Sequence, residues 1–254
     1  MRTLALRFLF STLVVLATTR PRPSFADQPK EPVKHGAPLL AKSRQLLLVR
    51  SATWSASSAR LQRYERSSGS ASWHAVGEAL QVNLGRNGMA WGRGLQPPQP
   101  GLGKREGDGR TPAGVFPVGS LFGYAEKAPD NASPSFSYVH IHAGTQCVED
   151  SRSPLYNQIV DSGTKSPMLR ADGVFRLGFV IEQNAPEATP GAGSCVFFHV
   201  QRGPAQATHG CTSASLPELE RVVGWLEPKD EPLIVQLPEA EYQRLKDDWA
   251  LPSS

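Results

Sequence analysis

The first part of this chain is a series of short apolar or alternating segments separated by turn residues. Residues 45–49 form an apolar run with polar neighbours on both sides, as expected for a buried strand. Residues 81–84 alternate between polar and apolar side chains, and Asn87-Gly88 is a typical hairpin turn sequence. No segment before residue 92 has the helical spacing of apolar residues. This part of the chain therefore predicts a β-meander and points to a mainly β fold.

Residues 143–173 predict a loop with a helical turn around residues 156–160, and full helices are predicted only near the C-terminus. Ser215 and Glu218 have the spacing of a capping box. The apolar stripe of the helix that follows consists of Leu216, Leu219, Val222, Val223 and Leu226. Pro228 ends this helix, residues 233–237 predict a last strand, and residues 239–249 predict a closing helix. We therefore expect a mainly β domain with one or two flanking helices.

The first 26 residues predict a secretory signal peptide. Arg2 and Arg7 accompany a mostly apolar run over residues 4–17, and Ser24-Phe25-Ala26 offers small residues for cleavage. The run is short for a membrane span, and an uncleaved N-terminal anchor is the alternative interpretation. We expect a secreted, periplasmic protein with no stable membrane insertion after cleavage.

Residues 27–44 lack periodicity and predict a flexible segment before one domain over residues 45–254. Residues 1–26 carry four arginines and no acidic residue, so the mature chain has 27 − 4 = 23 basic and 23 acidic side chains. The formal net charge of the mature chain is therefore zero, and no basic patch is evident. This balance argues against a nucleic-acid partner, and we expect a monomer.

The chain has three cysteines, Cys147, Cys195 and Cys211. In an oxidising compartment an odd number leaves one cysteine without an intramolecular partner. Cys147 and Cys195 either form a disulfide and leave Cys211 as a free thiol, or they are two small buried residues that do not meet. The sequence leaves both alternatives open.

Residues 194–200 are the most β-prone segment of the chain. Alternation puts one set of side chains on one face (Cys195, Phe197 and His199) and another on the opposite face (Val196, Phe198 and Val200). The loop over residues 201–208 can return the chain so that Cys211 lies beside His199. An imidazole that takes a thiol proton activates the thiol for acyl transfer. His199 is therefore the candidate general base, and a packed core histidine is the alternative.

Cys211 is the candidate nucleophile, because it follows Thr208, His209 and Gly210 in a polar turn and precedes Thr212. Glycine lets the backbone approach a substrate carbonyl closely. We expect the amides around Gly210, Cys211 and Thr212 to form an oxyanion site, with Thr208 and Thr212 binding substrate. A nearby imidazolium and a helix N-terminus are expected to lower the pKa of Cys211. His209 would orient the thiol or donate to the oxyanion, or else only shape the loop.

Two further histidines, His140 and His142, lie two residues apart on a predicted strand. They could bind zinc only with a third or fourth ligand. Cys147 or the pair Glu149-Asp150 would have to supply that ligand, and no standard zinc spacing is present. We therefore expect no metal site.

The segment 198–212, with Phe-His followed by Thr-His-Gly-Cys-Thr, resembles the active-site motif of the L,D-transpeptidases (YkuD-type domains). The segment 104–114, Lys-Arg-Glu-Gly-Asp-Gly-Arg-Thr-Pro-Ala-Gly, is similar to a loop of secreted members. Residues 147–157 and 193–199 are similar to segments of one proteobacterial branch. The resemblance covers nearly the whole mature chain and implies a curved β-sandwich that needs no cofactor.

The same resemblance implies the reaction. Cys211 would attack a carbonyl of a peptidoglycan tetrapeptide stem and form a thioester, with His199 as the base. An amine from a second stem would then resolve the thioester and form a cross-link. Two alternatives stay open: an L,D-carboxypeptidase or hydrolase that uses the same two residues, and a wall-binding module without catalysis.

Overall fold

The computed structural model describes residues 39–161 and 168–253. The predicted signal peptide and residues 27–38 lie outside this part of the chain. Strands dominate the described residues, so the predicted mainly β class is confirmed. None of the helices in these two ranges is long and apolar enough to cross a membrane.

The strands in chain order are β1 (Gln45–Ser51), β2 (Ser58–Glu65), β3 (His74–Asn83), β4 (Met89–Trp91), β5 (Thr111–Gly123), β6 (Tyr138–His140), β7 (Thr145–Cys147), β8 (Ile159–Asp161), β9 (Leu177–Ile181), β10 (Phe197–Val200), β11 (Thr212–Ala214) and β12 (Leu233–Pro238). The helices of the described residues are α1 (Leu216–Val223) and α2 (Glu239–Leu245), and a 3₁₀ turn covers Pro228–Asp230.

The main sheet closes on itself in the order β12-β1-β2-β3-β11-β10-β9-β5, because β5 also pairs with β12. The long strand β5 makes this closure possible by changing partners along its length. Gly114 to Pro117 pair with β12, and Val118 to Gly123 pair with β9. Closure leaves few open strand edges. The result is a ring of eight strands, to which β4 and β6 add along β5.

The interior of this ring is the main hydrophobic core. The apolar run of β1 is buried throughout, as its composition predicts. In the strand that leads to His199, Val196, Phe198 and Val200 belong to this core, whereas Phe197 belongs to a second, smaller apolar cluster. The predicted alternation of faces is therefore present, and it places the His199 face outside the main core.

The helix α1 begins with the predicted capping box. The Ser215 amide donates to Glu218 Oε2 at 3.2 Å, and Ser215 Oγ donates to the same oxygen at 2.6 Å. The helix ends at Val223 and is capped at Gly224, before the predicted stop at Pro228. Its buried side chains, Leu219, Val222 and Val223, come from the predicted stripe.

Residues 143–173 differ from the prediction of a loop with a helical turn around residues 156–160. The structure has a hairpin here, in which β7 and β8 pair antiparallel with Gln146 opposite Val160. Three-residue strands are too short to show a period of two in the sequence. The prediction of a helical turn is therefore wrong.

The N-terminal boundary of the packed chain also lies earlier than residue 45. Leu40 is buried in the main core, and its carbonyl accepts a hydrogen bond from the guanidinium of Arg66. The Ser43 carbonyl accepts a second bond from Arg66 Nε at 2.9 Å. Residues 39–44, assigned above to the flexible segment, are therefore held against the ring.

Candidate active site

The turn that carries Cys211 is closed by its own hydrogen bonds. Thr208 Oγ1 donates to the Cys211 carbonyl at 2.6 Å, and the Gly210 amide donates to Thr208 Oγ1 at 3.1 Å. Gly210 has φ +140°, and a Cβ at this position would lie 3.0 Å from the Arg110 carbonyl oxygen. Glycine is required here for both reasons, which explains the Thr-x-Gly-Cys pattern in physical terms.

Hydrogen bonds from the loop over residues 104–114 hold this turn in place. Its centre is the Asp108 carboxylate, which accepts hydrogen bonds from Lys104 Nζ at 2.5 Å, the Arg105 amide at 2.8 Å and the Arg110 amide at 2.9 Å. Thr111 Oγ1 then donates to the Cys211 carbonyl at 3.1 Å and accepts from the Gly85 amide at 2.8 Å. The loop therefore fixes the backbone at Cys211.

Strand pairing brings Cys211 to His199. In the parallel pair β10–β11, His199 lies opposite Ser213, so Cys211, two residues earlier, lies at the level of Phe197. One strand across and two residues along correspond to about 8 Å between Cα atoms, with both side chains on the same face. The Cys211 thiol donates to the Cys195 carbonyl at 3.6 Å, and Cys211 and His199 line one cleft of about 670 Å³.

His199 is held as a neutral base. Its side chain is only 7% exposed, and Nδ1 lies 2.8 Å from the Val200 carbonyl oxygen. A carbonyl only accepts, so Nδ1 carries the hydrogen and Nε2 keeps a free lone pair. Burial lowers the pKa of His199 to about 4, although the Val200 carbonyl opposes this shift. At neutral pH the imidazole is therefore ready to accept a proton.

The thiol is neutral as well. Burial raises the pKa of Cys211 to about 11, while the Phe197 amide and the Lys104 charge lower it in part. The expectation of a lowered thiol pKa is therefore wrong. The strand β11 separates Cys211 from the N-terminus of α1, and His199 carries no charge. At neutral pH the thiol and the imidazole are therefore both uncharged.

The structure places the residues that were predicted to bind the oxyanion or the substrate in different surroundings. The Thr212 side chain is fully buried, and Oγ1 donates to Gln236 Oε1 at 2.5 Å. Its hydroxyl does not reach the cleft, contrary to the expected role in substrate binding. The Thr208 hydroxyl and the Gly210 amide bond each other within the turn. The Cys211 amide has no hydrogen-bond partner among the described residues.

His209 lies at the rim of the same cleft and is exposed. Partial burial and the charges of Arg86, Arg202 and Arg170 lower its pKa. No hydrogen bond joins His209 to Cys211 among the described residues. His209 therefore faces the cleft, and its surroundings are strongly cationic.

Cys147 and Cys195 form a disulfide with 5.9 Å between their Cα atoms, and Cys211 is the free cysteine. Of the two alternatives left open by the sequence, the paired one is correct. The bond attaches the β7–β8 hairpin to the residue whose carbonyl contacts the thiol. Both half-cystines line the cleft.

Sequence reasoning missed several residues of the cleft. These are Arg86, Glu106, Glu149, Arg170, Arg202 and Ser213. Ser213 is the most informative of them, since its side chain is 1% exposed and its hydroxyl has no hydrogen-bond partner among the described residues. A buried hydroxyl without a protein partner is costly unless a water molecule or a ligand group completes its hydrogen bonding. In the sequence, only the spacing Cys211-x-Ser213, which puts both side chains on one face of a strand, could have predicted that Ser213 lines the cleft.

The pair His140 and His142 does not gather metal ligands in the structure. His142 Nε2 lies 3.3 Å from Asp161 Oδ1, and its ring packs edge-on against His140. Within the described ranges no group of three or more His, Cys, Asp or Glu side chains could hold a metal ion. The pair lies outside the cleft and takes no part in the site.

Of three comparisons with known proteins, one gave a match. Neither the comparison with curated proteins nor the comparison with solved structures gave a match. The family model of the L,D-transpeptidase catalytic domain (YkuD) matches residues 53–235, which include the loop 104–114, His199 and Cys211. This match covers well over half of the chain, and the chain therefore belongs to the L,D-transpeptidase catalytic-domain family.

Proposed function

We propose that this protein is a periplasmic L,D-transpeptidase that cross-links peptidoglycan stem peptides through a thioester on Cys211. The observation that carries the proposal is the pairing in one cleft of a free thiol with a neutral, tautomerically fixed imidazole. Acyl transfer needs a nucleophile and a proton acceptor in this relation. No cofactor is required for this chemistry.

In the first step, Cys211 Sγ attacks the carbonyl of the third residue of a tetrapeptide donor. The thiol proton passes to His199 Nε2, because both groups are neutral at rest and Nε2 holds the free lone pair. The Cys211 amide donates to the developing oxyanion. His199 then protonates the nitrogen of the fourth residue, which leaves as D-alanine.

In the second step, an amine of another stem attacks the thioester. The C–N bond forms, the C–S bond breaks, and the amine proton returns through His199 Nε2 to Sγ. The product is a peptide cross-link. Water in place of the amine would make the same residues an L,D-carboxypeptidase, and the products of the two reactions are different.

The disulfide supports the proposed compartment. Disulfides form and persist in oxidising environments such as the bacterial periplasm. The bond between Cys147 and Cys195 attaches the hairpin to the cleft beside the nucleophile. A reducing cytosol would leave this wall of the cleft without its covalent link. The signal-peptide character of residues 1–26 points to the same location.

The test uses purified protein without residues 1–26 and a disaccharide-tetrapeptide substrate, with products identified by mass spectrometry. The proposal predicts a cross-linked dimer that disappears in Cys211→Ala and falls at least about 1,000-fold in His199→Gln. His74→Gln is the matched control, because His74 is exposed on β3. Tripeptide alone would identify a carboxypeptidase. No product from folded protein would contradict both assignments.

A further inference from the structure

Three arginines from separate parts of the chain line the cleft beside the two histidines. They are Arg86, Arg170 and Arg202. Of the acidic residues that the structure describes, only Asp172 balances them, accepting from Arg170 at 2.8 Å and from Arg202 at 3.0 Å. Arg86 has no acidic partner among the described residues. Three cations against one anion leave a net charge of +2 on this wall, which we call the arginine wall.

The opposite charge is found elsewhere in the cleft. Glu106 accepts hydrogen bonds from the Tyr156 hydroxyl and from Ser194 Oγ, the latter at 2.8 Å, beside the disulfide. Glu149 lies two residues after Cys147, and burial together with the Glu106 charge raises its pKa. Lys104, the nearby cation, is engaged by Asp108. The cleft is therefore cationic at the histidines and anionic at the disulfide.

The proposed reaction puts a carboxylate next to His199. His199 protonates the nitrogen of the departing D-alanine, and one carbon joins that nitrogen to the terminal carboxylate. The carboxylate must then lie within a few ångströms of the imidazole, where Arg170 and Arg202 act on the His199 ring electrostatically. A pentapeptide has no free carboxylate at this position, because its fourth residue is in an amide bond.

The acceptor, like the leaving D-alanine, carries an amine and a carboxylate on the same carbon. The side-chain amine of diaminopimelate sits on a D-configured carbon that also carries a carboxylate, as in any free D-amino acid. When this amine takes the place of the departing D-alanine nitrogen beside His199, its carboxylate takes the place of the departing carboxylate. Water carries no carboxylate, so it cannot occupy this position in the same way.

We propose that Arg86, Arg170 and Arg202 form a carboxylate subsite that binds first the leaving D-alanine and then the acceptor. This inference rests on the proposed transpeptidase function and assigns its specificity. In the transfer step the acceptor nitrogen bonds to the thioester carbon, Sγ leaves and regains a proton through His199, and the carboxylate is unchanged. The arginine wall thus favours aminolysis by D-amino carboxylates over hydrolysis.

The test compares two acceptors in exchange with a tetrapeptide donor, D-methionine and D-methioninamide. We expect wild-type protein to use D-methionine at least about 10-fold faster, as charge-assisted hydrogen bonds would give. The amide has the more acidic ammonium and hence more free amine, so this preference cannot come from amine availability. Arg86→Gln and Arg202→Gln should each reduce the preference several-fold. Arg60→Gln is the matched control, since Arg60 is exposed on β2 and does not line the cleft.

A second measurement is independent of catalysis. In Cys211→Ala, the pKa of His209 is followed by NMR with and without D-methionine. A carboxylate bound to the arginine wall should raise this pKa, whereas D-methioninamide should not. Equal use of both acceptors, or a His209 pKa that ignores D-methionine, would overturn the subsite. Absence of exchange with either acceptor would instead contradict the transpeptidase function, and the titration would still decide the subsite.

Discussion

The two sides of the strand ring are held together in different ways. In the core region, formed by β1, β5, β12 and α1, side chains such as Leu47, Phe116 and Ile234 are fully buried and contact one another. In the cleft region, formed by the loop 104–114, the turn 208–211 and the β7–β8 hairpin, side-chain hydrogen bonds and one disulfide fix the backbone.

This difference separates stability from chemistry. Apolar burial is non-directional and contributes free energy in proportion to area. Hydrogen bonds contribute less net free energy but fix direction, which the proposed acyl transfer needs to aim the Cys211 thiol at a carbonyl. Changes in the core region should therefore alter the free energy of unfolding, and changes in the cleft region should mainly alter the reaction rate.

The largest loss of stability is expected in the core region. Phe116→Ala removes a fully buried ring and should lower the free energy of unfolding by about 3–5 kcal/mol. Denaturant unfolding measures this change. Leu95→Ala, at a side chain that is 49% exposed, is the control and should change stability by less than about 0.5 kcal/mol. A large fall in kcat of the folded Phe116 variant would contradict the separation of effects on stability from effects on reaction rate.

Removal of the disulfide should lower both the free energy of unfolding and the reaction rate. The double variant Cys147→Ser, Cys195→Ser opens a link across 48 residues and should lose about 2–4 kcal/mol of stability. Thioester formation should also slow, because the Cys195 carbonyl that contacts the thiol is no longer attached to the hairpin. Thiol titration of unfolded wild-type protein should find one free thiol per chain; two or three would contradict the pairing.

Acid should destabilise the protein through His199. Its folded pKa of about 4 lies below the ordinary value of 6.5, so the unfolded chain binds a proton that the folded chain does not. Stability is full above pH 6.5 and falls as pH drops towards 4, by about 2–3 kcal/mol. Denaturant unfolding at pH 7 and pH 4.5 measures this loss. The loss of stability between pH 7 and pH 4.5 should disappear in His199→Gln and persist in His74→Gln. The reverse pattern would contradict the assignment of this loss to His199.

The smallest effect on stability should come from Thr111→Val. This change removes the hydroxyl that joins Gly85 to the Cys211 carbonyl and should cost about 1 kcal/mol. The rate of acylation should nevertheless fall about 10-fold, because a misplaced nucleophile reacts slowly. Thr53→Val, at an exposed position, is the matched control. A variant with lower stability and an unchanged rate would place Thr111 in the core region.

Local patterns in the sequence predicted much of this arrangement. The alternation of residues 194–200 correctly put His199 and Phe198 on opposite faces, and the Phe198 face belongs to the main core. The capping box at Ser215 correctly predicted the start of α1. Both features depend on neighbours within a few residues, which is the range over which strand and helix periods act.

Features that depend on distant pairing escaped prediction. The arginine wall combines residues 86, 170 and 202, and no local pattern connects them. The pKa of Cys211 depends on burial against β10 and not on the nearby helix that the sequence suggested. Thr212 was misplaced because its partner, Gln236, lies on β12 across the ring.

Acid-quenched mass spectrometry of the protein in its first turnover with one equivalent of tetrapeptide, before a second stem attacks the thioester, tests the central claim most directly. We predict an acyl group of tripeptide mass on the peptide that contains Cys211, together with one equivalent of released D-alanine. The adduct should be absent in Cys211→Ala and should form far more slowly in His199→Gln. Release of D-alanine by Cys211→Ala, or an adduct on any other residue, would contradict the account.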